Sequence, residues 1–132
     1  GGAELAMGEK ADFDRAREVL DQGDFRRAAD LLAAFTETYP GSPLTGEANY
    51  YRGEALMGAG DAAGAARAWL ASFSGYPDGP RAPDALLKLG QALGQLGQVP
   101  EACVTLGEVP TRYPASPAAQ EAVSARARLG CG

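Results

Sequence analysis

Histidine is absent from all 132 residues of this chain. The side chain most often used as a general base near neutral pH is therefore missing, which excludes histidine-dependent triads and every His-based zinc site. Cysteine is nearly absent: Cys103 and Cys131 are the two present, too far apart in sequence for a CxxC redox or zinc pair. Positive charge is also short. Twelve Lys and Arg against 17 Asp and Glu leave a net charge of -5, without the basic face that a nucleic-acid partner needs. There is no uncharged apolar run of about 18 residues and no basic-then-apolar leading segment, so neither direct membrane insertion nor an export signal is expected within these residues. Period-two alternation is missing as well, which leaves no strand to build a sheet.

What the chain does contain is a pattern that repeats every 37 residues. Gly60 has counterparts at Gly23 and Gly97, and Ala65 at Ala28 and Ala102. Tyr76-Pro77 answers to Tyr39-Pro40 and Tyr113-Pro114, Pro80 to Pro43 and Pro117, and Ala48 to Ala11 and Ala85. A fixed period of this size marks an array of supersecondary units, each unable to bury its apolar face without the next. With 45% hydrophobic residues, three such units are enough for one domain burying roughly two thirds of its unfolded surface.

Residues 1–10 lack apolar periodicity and read as a mobile leader to a single domain over 11–132. In the first repeat (11–43), Phe13, Ala16, Val19 and Leu20 recur at helical spacing until Gly23, which suits the left-handed residue that ends a helix. Asp24 is placed to cap a second helix, whose apolar face runs from Phe25 through Leu32 to Tyr39 before Pro40 stops it. Ser42-Pro43 then suggests a cap and first helical residue for the next hairpin. The repeats over 44–80 and 81–117 follow the same plan, and 118–129 is a helix without a partner hairpin, as expected of a cap. Pro110, preceded by Gly107, lies in the last turns of its helix and predicts a kink or early end there.

Small residues at Ala16, Gly53 and Gly90, facing Ala28, Ala65 and Ala102, let two helices approach while Leu32, Trp69 and Leu106 fill the space beside them. This pattern resembles the tetratricopeptide repeat. The resemblance implies an all-α fold of three helical hairpins plus a C-terminal capping helix, wound as a right-handed α-solenoid. The Tyr-Pro endings, the 37-residue period and the run from Ala82 to Gly90 followed by Glu101-Ala102-Cys103 are further similar to the C-terminal domain of the CpoB (YbgF) family. That likeness implies a non-enzymatic, periplasmic adaptor of the Tol-Pal system. It would bind TolA, work with a bifunctional penicillin-binding protein, and coordinate peptidoglycan synthesis with outer-membrane constriction in cell division. In that family an export signal and a trimerising coiled coil precede the repeats. The Tyr-Pro ending is shared with BamD, so a scaffold subunit of outer-membrane protein assembly is the alternative.

In tetratricopeptide arrays the first helix of each hairpin lines the binding groove, which here implies Phe13, Arg17, Leu20, Tyr50, Tyr51, Glu54, Met57, Leu87, Lys88 and Gln91. Aromatic anchors with a few charges suit a peptide or helix partner. Tyr51 and Arg17 are the expected exposed members, whereas inter-repeat core is the other reading of Phe13, Tyr50 and Leu87. Of the positions that clamp a C-terminal carboxylate in some relatives, only Arg17 and Lys88 carry a fitting charge, so no such clamp is expected. Glu47, Glu54 and Asp84 have no nucleophile, oxyanion donors or metal-ligand set beside them and read as a solvated face. No catalytic residue, metal or cofactor is expected.

Helix geometry bears on the cysteines. From Cys103 to Tyr113 a helix advances about 15 Å, and the return from Pro117 to Leu129 covers about 18 Å at 1.5 Å per residue. An antiparallel return brings Cys131 level with Cys103. A disulfide is expected, with a buried free thiol at Cys103 as the alternative.

Overall fold

The computed structural model describes residues 6–132, and its elements follow the glycine and proline punctuation of the sequence. Among the described residues seven helices run in order: α1 (Glu9–Asp21), α2 (Phe25–Thr38), α3 (Thr45–Gly58), α4 (Ala62–Gly75), α5 (Ala82–Gln95), α6 (Val99–Arg112) and α7 (Pro117–Leu129). Among the described residues there is no strand. Each helix packs on the next, and the odd-numbered helices also meet at α1/α3 and α5/α7. The result is the expected all-α helical repeat array, with α1, α3, α5 and α7 as one layer and α2, α4 and α6 as the other.

The three hairpins close in the same way because the same residue type sits at the turn. Gly23, Gly60 and Gly97 adopt φ of 81°, 86° and 80°, a region that costs an L side chain energy but not glycine. The amides that follow reach back to satisfy helix-end carbonyls, Asp24 N to Val19 O, Asp61 N to Leu56 O and Gln98 N to Leu93 O. Of the residues after these glycines, Asp61 caps with its side chain, accepting from Gly64 N at 2.8 Å. Asp24 stands at the expected N-cap of α2, but its side chain makes no capping bond.

Close helix approach follows from the small residues. Ala16, Ala28, Ala65 and Ala102 are fully buried. A methyl group at Gly53 would overlap the Trp69 indole, and one at Gly90 would come within 2.6 Å of Leu106 Cδ2. Trp69 fills the space left by the missing side chain and donates its Nε1–H to Tyr50 O at 3.0 Å.

Three boundaries differ from the sequence reading. Residues 1–5 of the expected leader lie outside the described residues, but Glu9 and Lys10 are helical. Glu9 is only 4% exposed because Oε1 accepts from Ala6 N and Oε2 from Ser42 Oγ, which draws the first turn of α1 into the structure. Ser42, expected to cap α3, is thus engaged by Glu9, and its Oγ also accepts from Leu44 N, so α3 starts later, at Thr45. The helix containing Pro110 does not end early: α6 runs to Arg112, with Tyr113 N still bonded to Val109 O at 2.8 Å. The proline removes one backbone bond, to Leu106 O, within a last turn anchored by the fully buried Val109.

The capping helix begins as the sequence suggests, with Ser116 Oγ accepting from Ala119 N and Pro117 at the first position. It ends at Gly130 (φ 74°), and the chain then turns back to α6. Cys103 and Cys131 form a disulfide across 5.7 Å between Cα atoms. Beside it Arg126 Nη1 donates to Cys103 O at 2.9 Å.

Candidate functional site

The groove proposed from the sequence lies on the layer formed by the odd-numbered helices, and α3 is its centre. Tyr50 and Tyr51 are neighbours in sequence, point apart by one helical step, and meet edge to face at 5.2 Å. Phe13 of α1 reaches Tyr51 at 6.2 Å and packs on Phe35 at 5.7 Å. Two guanidinium groups also pack against the Tyr51 ring. Arg17 of α1 lies 4.0 Å from the ring centroid and Arg81, in the turn before α5, lies 5.3 Å away. Arg81 Nη2 also donates to Tyr51 Oη at 2.6 Å, while its Nη1 meets Asp84 Oδ2 at 3.4 Å.

This arrangement corrects the expected exposure of Tyr51. Its side chain is 5% exposed, because three helices and two arginines converge on it. Arg17, the other member expected on the surface, is half-buried, and its Nε is buried with no hydrogen-bond partner among the described residues. Phe13, Leu20, Tyr50 and Leu87 are buried, so the core reading holds for Phe13, Tyr50 and Leu87. Glu54, Met57, Lys88 and Gln91 are half-buried. The ten residues therefore separate into a buried apolar floor and a rim of Arg17, Glu54, Met57, Lys88 and Gln91.

Electrostatics follow from this layering. Burial, with the Glu54 carboxylate beside it, pushes the Tyr50 phenol well above its ordinary pKa. At the hairpin ends, Tyr39 donates to Asp12 Oδ2 at 2.6 Å, a bond to the protonated phenol that raises its pKa too. Tyr113 donates to Pro77 O and is raised mainly by burial. Asp84 is engaged by Arg81, and Glu47 and Glu54 are half-buried rather than fully solvated. Among the described residues no group of three or more His, Cys, Asp or Glu is placed to hold a metal ion. None of the helices there is long and apolar enough to cross a membrane.

Toward α7 the rim opens into a hollow of about 260 Å³ between α5, α6 and α7. Gln91, Leu106, Ala125 and Leu129 line it, with Arg128 at its edge. Sequence reasoning missed Arg81 and Arg128. Arg81 has no periodic counterpart, since Leu44 stands one repeat earlier and Ala118 one repeat later. Arg128 lies on a helix that the repeat reading treated as a cap alone.

Two family models match the chain, both described as Tetratricopeptide repeat, one over residues 13–80 and the other over 84–116. No curated protein matches it.

Proposed function

This chain belongs to the tetratricopeptide-repeat family, whose members are typically non-catalytic protein-protein interaction modules, and from that premise we propose that it is an adaptor of the bacterial cell envelope. Its partner would be a TolA-like protein, and its role the coordination of peptidoglycan synthesis by a bifunctional penicillin-binding protein with outer-membrane constriction at division. The periplasm is the compartment proposed, and a trimer the state of the longer protein if a coiled coil precedes these repeats. The disulfide supports that location, since such bonds persist where the surroundings are oxidising.

The observation that carries the binding site is the layering of the odd-helix face. Its floor is buried, while the rim offers the half-buried Arg17 and Lys88 and the hollow beside Gln91. A groove with a preordered floor and polar groups at its edge binds a helix or extended segment without first ordering itself. Capture of a purified TolA periplasmic domain, followed by biolayer interferometry, tests this reading. Lys88→Glu is expected to weaken binding by about tenfold or more with the thermal midpoint little changed, whereas Arg17→Glu, which also removes the cation packed on the Tyr51 ring, is expected to weaken binding and lower the midpoint. Unchanged binding by both variants would move the partner to another surface, and no binding by the parent would reject a TolA-like partner.

A further inference from the structure

On the opposite side of the array, α2 and α4 flank a cleft of about 450 Å³ whose base is α3. Its lining is cationic in a chain that is acidic as a whole. Arg26 comes from α2, Arg52 from α3 and Arg67 from α4, with Asp30 and Asp61 as the two acidic members. Asp61 is already used, because its Oδ1 accepts from Gly64 N as the cap of α4. Among the described residues none of the three guanidinium groups makes an ion pair. Arg52 is the central one: its Nε is buried and has no hydrogen-bond partner there. A buried donor of this kind calls for an acceptor.

The repeat shows that an arginine at this position can be satisfied by two oxygens. Two periods after Arg52 stands Arg126, whose guanidinium donates to two backbone oxygens, from Nη1 to Cys103 O at 2.9 Å and from Nη2 to Gly132 O at 3.2 Å. Arg52 does not repeat this arrangement: Ala29 and Gly58 stand two periods before Cys103 and Gly132, yet among the described residues Arg52 Nε is left without a partner. A planar fork beside two further arginines matches the two oxygens of a carboxylate. Three arginines against two aspartates leave one net positive charge, which a single carboxylate neutralises. A phosphate dianion would exceed that charge and face Asp30 and Asp61.

We propose that the α2/α3/α4 cleft is a second binding site that seats a carboxylate side chain of an acidic peptide segment on Arg52, with Arg26 and Arg67 at its sides. It is separate from the odd-helix groove, so one module would hold two segments at once. The test titrates a fluorescein-labelled hexaglutamate peptide into the intact chain and follows anisotropy at about 50 mM salt, where screening is weak. A hexaglutamine peptide and inorganic phosphate serve as comparison probes. Hexaglutamate is expected to bind despite the net negative charge of the protein, to shift the Arg52 Nε–H resonance in NMR spectra, and to bind about tenfold or more weakly to Arg52→Gln. Arg67→Gln, an exposed change that spares the fold, is expected to weaken it as well, and Lys88→Gln on the other face is not. Binding that survives both arginine changes, or equal binding of hexaglutamine, overturns the site. Phosphate binding as tight as hexaglutamate with the same dependence on Arg52 overturns the assignment to a peptide carboxylate.

Discussion

Tyr51, with Tyr50 beside it, joins two parts of the molecule that are distant from it in sequence: Phe13 and Arg17 of α1, and Arg81 before α5. Tyr51→Ala is therefore expected to destabilise the fold by about 3 kcal/mol or more in urea titrations, through the cavity and two stranded guanidinium groups. Tyr51→Phe, which removes only the bond from Arg81, should cost about 1 kcal/mol. Tyr50 gives a pH dependence of definite sign. Its folded phenol holds the proton more tightly than the unfolded value of 10.0, so above that pH the unfolded chain releases protons first and stability falls as pH rises. Tyr50→Phe should flatten that alkaline decline, measured as the urea midpoint at successive pH values. The small residues at Ala16, Gly53 and Gly90 were legible in the sequence because close approach of two backbones leaves a mark at one position of each repeat. The burial of Tyr51 was not, because it comes from side chains of other helices, one of them in a turn with no repeat counterpart.

At the level of the helices, α7 is the element with neighbours on one side only, and Val123 at 58% exposed marks its open face. Its attachment rests on Ala118, Ala122 and Ala125, on Arg126 reaching Cys103 O, and on the disulfide. Closing a chain segment of 28 residues contributes roughly 3 kcal/mol or slightly more in the chain-entropy account. Cys131→Ser should lower unfolding stability by about that amount. Hydrogen exchange is expected to quicken first in α7, and equal protection of α7 with and without the bond would show that packing alone holds it. The pairing of Cys103 with Cys131 was accessible from helix rise, because two antiparallel helices joined by a short turn fix the distance between their far ends. The persistence of α6 through Pro110 was not, since a proline two residues before the end costs one bond that buried Val109 outweighs.

Across the whole molecule, every helix depends on its sequence neighbours, and the 37-residue period alone predicted that order. The period could not locate the clefts. Arg26, Arg52 and Arg67 lie on three helices of two hairpins, and no spacing in the sequence marks their convergence. A chain ordered in this way has a mechanical signature. When it is stretched between residue 6 and Gly132 in an optical trap, the hairpins release their length as they open, but the segment between Cys103 and Cys131 stays looped behind a covalent bond. Those 28 residues span roughly 90 Å when extended, at about 3.3 Å each. The oxidised molecule should therefore reach a contour length shorter than the reduced one by about that amount, and adding reductant to the stretched chain should release it in a single step.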